Sequence, residues 1–328
     1  MKETLSPPHA AARVDAGSAT SSHGNPVPAE LLARAARARH DLGALYPFEG
    51  RFVRGPRGWL HVVDEGPKDA PAVLFLHGNP SWSFLWREPI RALAATHRVL
   101  ALDHAGCGLS GPLPKGPYTL VERIEDAQAV LTELGIQDVA LVGHDWGGAI
   151  ALGLARRDPA RVRALSLSNT AGFAGIALPP SIRLCRAPLI GRLLLEPLNA
   201  FLGVAVRRCT HQPLSRAVRD GYRWPHREAD RRASIRAFVE DIPLHPTHPS
   251  WPELAAIEAA LPTLDQRPVM LLWGERDWCF HPGFRRAFEA RMPRAQVVTL
   301  DNAGHWWPED EPAKGCSALT NFLRKVTP

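Results

Sequence analysis

The chain of 328 residues has only three tyrosines, five lysines and five cysteines. It has no uninterrupted apolar stretch of about 18 residues, so a membrane-spanning helix is not expected. The cysteines at 107, 185, 209, 279 and 316 include no C-x-x-C pair, so neither a zinc ribbon nor a disulfide framework is indicated. The first residues lack the charged, apolar, then small order of a signal peptide. A reducing cytoplasm is therefore the expected setting. Lysine occurs only at 2, 68, 115, 314 and 325, so arginine supplies most of the 39 basic residues. Against 33 acidic residues these leave a net charge of +6. A basic balance raises nucleic acid as a partner, but no recognised DNA- or RNA-reading motif is visible, and none is expected to bind. With 45% hydrophobic and 22% charged residues the composition is globular, which excludes wholesale disorder, collagen and coiled coil.

Residues 1–44 read as an N-terminal extension rich in Pro, Ser, Ala and Gly, expected to be disordered apart from a short arginine-studded helix (AELLARAARARHDLG). The folded body is expected to start near Tyr46. From there apolar runs alternate with helical patterns. WLHVVDE, AVLFLHG, RVLALDH, VALVGH, VRALSLSN, PVMLLWG and QVVTLDN read as strands, with helices between them. This order implies an α/β fold with a mainly parallel sheet covered by helices on both faces. Residues 171–264 lack comparable strand runs and read as an inserted helical cap, which divides a core of 45–170 and 265–328. Between 183 and 236 twelve arginines face four acidic residues, so the surplus charge lies on the cap.

The strongest chemical signal is VALVGHDWGGAIALGLA. A strand ends at Gly143, a helix begins near Gly147, and Asp145 sits in the tight turn between them. This is the geometry of a nucleophile elbow with aspartate where serine usually stands. A carboxylate at that apex attacks carbon and forms a covalent adduct. The plain alternative is an aspartate that merely caps the helix. The loop His77-Gly78-Asn79-Pro80-Ser81-Trp82 follows an earlier strand. Its position assigns the backbone N–H groups of Asn79 and Trp146 to an oxyanion hole, with their side chains as further donors for a leaving group. The alternative for Asn79 is a turn former before proline. Asp277, in WGERDW after a later strand, is placed to orient a histidine. His305, in NAGHWW after the last strand, is the candidate base. Nucleophile, acid and histidine follow one another in the chain order this fold uses. His104, His144 and Glu275 read as structural. No metal-ligand cluster and no phosphate-cradling G-x-G-x-x-G appear, so no metal or cofactor is expected.

HGNPSWSFLWR and GHDWGG resemble the oxyanion and nucleophile motifs of the α/β-hydrolase superfamily, in its haloalkane dehalogenase-like branch, and the resemblance spans residues 45–328. It implies an α/β-hydrolase fold, with Asp145 as nucleophile, His305 as base and Asp277 as the acid that orients it. It also implies Asn79 and Trp146 as stabilisers of the leaving group. Ser168 and Asn169 end the strand where other members carry the acid, and Asn169 cannot serve as one. Three activities share this apparatus. Epoxide hydrolases use a pair of cap tyrosines, and of Tyr46, Tyr118 and Tyr222 only Tyr222 lies in the cap, which discounts that activity. Haloalkane dehalogenases need the five residues just named, and all are present. The third activity belongs to the β-lactone decarboxylases of bacterial olefin biosynthesis. YPFEGR, LSNTAGF, EPLNAFLGVAVR and RAFVEDIPLHPTHPSW are similar to that group, through the variable cap as well as the core. The resemblance thus implies conversion of a long-chain cis-3,4-dialkyl β-lactone to a cis-alkene and carbon dioxide, with haloalkane hydrolysis or a non-catalytic binding role as alternatives.

The cap run Leu184, Leu189, Ile190, Leu193, Leu194, Leu195, Leu198 and Phe201 suits a greasy substrate; ordinary packing of cap on core is the alternative. The arginine-rich cap is also the expected meeting point with an anionic membrane or with enzymes of the same pathway, through Arg207, Arg208, Arg231 and Arg232.

Overall fold

A computed structural model describes residues 26–175 and 178–326; of the expected N-terminal extension 1–44, residues 1–25 lie outside them. Eight strands among the described residues form one sheet: β1 (Gly50–Gly55), β2 (Gly58–Glu65), β3 (Ala72–Leu76), β4 (Arg98–Leu102), β5 (Val139–His144), β6 (Val162–Ser168), β7 (Val269–Gly274) and β8 (Gln296–Leu300). Their order is β1-β2-β4-β3-β5-β6-β7-β8. β2 runs antiparallel to both neighbours, and the pairs from β4 to β8 are parallel. This is the α/β-hydrolase architecture expected from the sequence.

The helices are α1 (Ala29–Leu42), α2 (Arg87–Leu93), α3 (Leu120–Glu133), α4 (Trp146–Arg157), α5 (Pro180–Cys185), α6 (Ile190–Leu195), α7 (Ala200–Arg208), α8 (Arg216–Arg223), α9 (Ala233–Glu240), α10 (Trp251–Leu264), α11 (Pro282–Arg291), α12 (Trp307–Asp310) and α13 (Pro312–Val326). Strand alternation divides the core. Val73 and Phe75 of β3 join Ile90 of α2 and Leu319 of α13 on one face. Leu74 and Leu76 join Ile124 of α3, Ile150 of α4 and Phe288 of α11 on the other. Both faces are apolar, which is why the central strands read as continuous hydrophobic runs.

Three features depart from the sequence expectations. β1 was not anticipated: GRFVRG has too few apolar residues, and it is held as an edge strand by the hairpin to β2, with Val53 inward and Arg54 outward. The start near Tyr46 is too late. Leu31, Ala35, Ala38 and Leu42 of α1 are buried, and Arg34 donates to the Pro225 carbonyl at 2.9 Å while its guanidinium sits over Trp224. α10, inside the stretch read as cap, belongs to the core. Its Leu254, Ile257 and Leu261 join the α3 and α4 cluster, and Glu253 pairs with Arg156 and Arg157. The helices over the sheet's carboxyl edge are thus α5 to α9.

Candidate active site

The parallel strands deliver the chemistry to one edge of the sheet. Asp145 stands between the end of β5 and the start of α4 at φ 55°, in the left-handed region that a branched side chain rarely enters. The tight turn is possible because its neighbours lack a Cβ. At Gly147 a Cβ would lie 1.9 Å from the Leu76 carbonyl oxygen, and at Gly78 one would lie 1.9 Å from Asp145 Oδ1. The Asp145 side chain makes no capping bond to α4. It accepts the Asn79 backbone N–H at 2.7 Å and is also held by the Trp146 backbone N–H. The arrangement is therefore that of an elbow rather than a helix cap. The Thr170 hydroxyl donates to the Asp145 carbonyl at 2.5 Å and secures the turn from behind.

His305 follows β8, and its Nδ1 bonds Asp277 Oδ2 at 2.7 Å. Its Nε2 lies 3.7 Å from Asp145 Oδ2, too far for a hydrogen bond but close for charge. Asp277, Asp145 and His305 are all buried. Asp277 Oδ1 accepts the Cys279 backbone N–H at 2.7 Å, so both its oxygens are engaged. The structure thus brings the three residues together, with Asn79 and Trp146 beside them lining one cavity.

Burial pushes the Asp145 carboxyl above its ordinary pKa, outweighing the downward pull of His305 and of the Trp146 and Asn79 N–H groups. Burial lowers His305, but the hydrogen-bonded Asp277 carboxylate, with a smaller pull from Asp145, more than offsets it, and the imidazole ends above its ordinary value. His144 is held well below, by burial and by the neighbouring His305. Its Nε2 bonds the His305 carbonyl at 2.8 Å, so it fixes the backbone of that loop. His104 likewise braces His77, donating its backbone N–H to His77 Nε2 at 3.2 Å. Glu275 pairs with Arg285.

Two residues that pack against the candidate site were missed or undervalued. Asn169, weighed in the sequence only as a lost acid, donates from Nδ2 to Asp277 Oδ2 at 3.0 Å and accepts the Gly274 N–H at 2.9 Å. It ties the ends of β6 and β7 together and holds the acid in place. Its site at a strand end was the only signal. Arg123 is fully buried on α3, bonded to Asp241 at 3.2 Å and lying over the rings of Phe238 and Trp146. Nothing local in LVERIEDA marks it.

Two apolar cavities meet at Asp145. Each has roughly 800–900 Å³ of empty space including its mouth, and they share Asn79, Asp145, Ile182, Phe201 and Cys279. One runs along Trp146, Phe173, Leu254 and Phe284, between core helices and the cap. The other passes His305 and Trp278 toward Leu184, Leu194 and Val204 of the cap. Asn79 Nδ2 donates to the Ile235 carbonyl of α9 at 3.2 Å, which uses one of its two amide hydrogens. The cap run therefore divides three ways. Leu195 is core packing, Leu184, Leu194 and Phe201 line the second cavity, and Leu189, Ile190, Leu193 and Leu198 face solvent. Tyr222, the single cap tyrosine, lines neither cavity. It is stacked on Trp306 and its hydroxyl is bound to Glu309.

Comparison with known proteins agrees with this fold. A model of the alpha/beta hydrolase fold family matches residues 71–312. A cis-3-alkyl-4-alkyloxetan-2-one decarboxylase of Shewanella oneidensis is 36% identical, over 87% of this chain and 91% of its own. Haloalkane dehalogenase 2 of Mycobacterium tuberculosis is 32% identical, over 84% of this chain and 95% of its own. Among solved structures, the haloalkane dehalogenase DbeA of Bradyrhizobium elkani superposes with a TM-score of 0.78 at 27% identity, covering 85% of this chain and 98% of that one. The chain belongs to the α/β-hydrolase fold family, and its neighbours in sequence and structure are the haloalkane dehalogenase-like proteins.

Proposed function

We propose that this protein converts a long-chain cis-3,4-dialkyl β-lactone into a cis-alkene and carbon dioxide. The observation that carries the reading is the pair of apolar cavities diverging from one buried carboxylate. A substrate with an alkyl chain on each of two adjacent ring carbons places one chain in each cavity with the strained ring over Asp145. A linear haloalkane needs only one cavity. The relatives named as decarboxylases, alike over most of both chains, support the same choice.

Asp145, ionised, needs no base to attack. Attack on the ring carbon that bears the ring oxygen forms an ester to Asp145 and breaks that carbon–oxygen bond, releasing the substrate carboxylate. The Asn79 and Trp146 side chains, which line the first cavity with Asp145, receive the negative charge as it leaves. Loss of carbon dioxide then supplies the electron pair of the new double bond, and the Asp145 carboxylate departs. Atoms and electrons balance without water, whereas attack at the carbonyl would leave an anhydride that water must cleave. His305, held by Asp277, flanks Asp145 Oδ2 and assists collapse of the adduct, or directs water to it when the adduct is an unactivated ester.

Haloalkane hydrolysis is the second reading, favoured by the same two side-chain donors, which suit a halide. An epoxide hydrolase is disfavoured, because the Tyr222 hydroxyl is occupied by Glu309 and stands away from the cavities. The nucleophile assignment is tested with Asp145→Ala, which is expected to reduce alkene release from a synthetic cis-β-lactone to background; full retention of activity contradicts it.

A further inference from the structure

Among the described residues, the exposed large apolar side chains are not scattered. Leu184, Leu189, Ile190, Leu193, Leu198 and Val204 all lie on the stretch from α5 to α7, and only Val297 lies elsewhere. Leu189 is 86% exposed and is held at φ 63°, a conformation that a leucine rarely adopts. A contiguous apolar face on a water-exposed surface marks an interaction site.

The charge around the face narrows the partner. Arg183, Arg192, Arg207 and Arg208 are exposed on the same three helices. The single acid between 178 and 213 is Glu196, and its carboxylate is occupied by Arg236 at 2.6 Å and Arg192 at 3.2 Å. Leucines projecting among arginines that outnumber the acids match a lipid surface with anionic headgroups, where apolar side chains enter the acyl boundary and guanidinium groups stay at the phosphates. Arg231 and Arg232, expected from the sequence to share this role, are spent inside the fold. Arg231 donates to the Ser110 carbonyl, and Arg232 to the carbonyls of Glu196, Pro197, His226 and Arg227.

The face is also continuous with the site. Leu184 and Val204 belong both to the exposed patch and to the lining of the second cavity, whose inner end is Asp145. We infer that the α5–α7 face docks on an anionic membrane surface, and that the second cavity draws its apolar substrate from the lipid. The feeding half of this inference rests on the β-lactone reading; the docking half does not.

The test is co-sedimentation of the full chain with vesicles of phosphatidylcholine alone or enriched in phosphatidylglycerol. The protein is expected to pellet with the anionic vesicles and to be released by salt. Leu189→Ser with Leu193→Ser, at positions that line neither cavity, is expected to weaken partitioning by about tenfold or more. Arg183→Ala with Arg207→Ala is expected to lose roughly tenfold on anionic vesicles alone. Circular dichroism and thermal unfolding of the variants check that each is folded. Failure of the wild-type protein to pellet, or undiminished pelleting of the leucine variant, overturns docking. So does a wild-type oligomer that the leucine variant dissolves while neither binds vesicles, since the face is then a contact between copies. If docking holds and lactone is turned over, alkene release from lactone carried in vesicles is expected to fall in the leucine variant, while release from detergent-dispersed lactone stays unchanged. Equal rates overturn feeding, whereas no turnover of lactone in any form removes the substrate reading and leaves docking standing.

Discussion

At the scale of the residue, the acid behind His305 is held from three directions. Cys279, His305 and Asn169 all donate to Asp277. Removing the Asn169 donor with Asn169→Ala takes a hydrogen bond from a charged group, worth about 1.5–3 kcal/mol, so turnover should fall roughly 10- to 100-fold. As Asn169 lines neither cavity, the loss should appear in kcat with KM little changed, and an unchanged kcat contradicts a positioning role. The pH profile carries a second test. In the proposed reaction the attacking form of Asp145 is the carboxylate, and its pKa is raised, so alkene release should fall in acid with a midpoint above about 3.9, the ordinary aspartate value. Hydrolysis of a simple ester on Asp145 additionally needs neutral His305. The raised imidazole pKa places that second limb above about 6.5. Asp277→Asn removes the largest upward pull on His305 and leaves burial against the smaller pull of Asp145, so the second limb should move to lower pH; a limb that stays in place contradicts the assigned cause. The residues in tight turns after strands were legible in sequence, because the elbow demands glycines at fixed offsets from Asp145. Asn169 and Arg123 were not, because their partners lie 108 and 118 positions away.

At the scale of the element, long apolar strands and amphipathic helices announced themselves, and the fold class followed. The elements that were misread are those whose identity comes from neighbours. β1 is a strand because β2 offers it a hairpin partner, and α10 is core rather than cap because the α3 and α4 faces are apolar where it lands. The cap helices are short, so periodicity could not say which leucines turn inward. The two cavities follow from how α5, α7 and α9 span the strand ends, and each should set the length limit of one alkyl chain. Ala171→Phe narrows the first cavity and Ala200→Phe the second. At ~0.8 kcal/mol per methylene, excluding four methylenes costs about 3 kcal/mol, or roughly two orders of magnitude in kcat/KM for the long-chain substrate. Lactones shortened on one side only should rescue one variant and not the other. Equal rescue of both variants by either lactone contradicts separate chain sites.

At the scale of the whole molecule, the cap is tied to a buried ion pair of the core. Arg87 of α2 grips Glu309 of α12 with both terminal nitrogens, the second at 2.6 Å, and Tyr222 of α8 donates to the same carboxylate. The salt bridge holds Arg87 above its ordinary pKa despite burial. Glu309→Gln strands a buried guanidinium and should cost about 3–5 kcal/mol in urea unfolding, where a loss below about 1 kcal/mol contradicts the role. Tyr222→Phe keeps that ion pair and should leave alkene release nearly unchanged; abolition would revive a tyrosine acid. The scarcity of tyrosine thus bears on function twice, first by excluding a pair in the cap and then because Tyr222 is committed to this ion pair. The most direct measurement gives the purified protein a long-chain cis-3,4-dialkyl β-lactone and a long bromoalkane in parallel, with alkene followed by gas chromatography and bromide by ion analysis. The account predicts cis-alkene from the lactone and little bromide. Bromide and alcohol without alkene would contradict it.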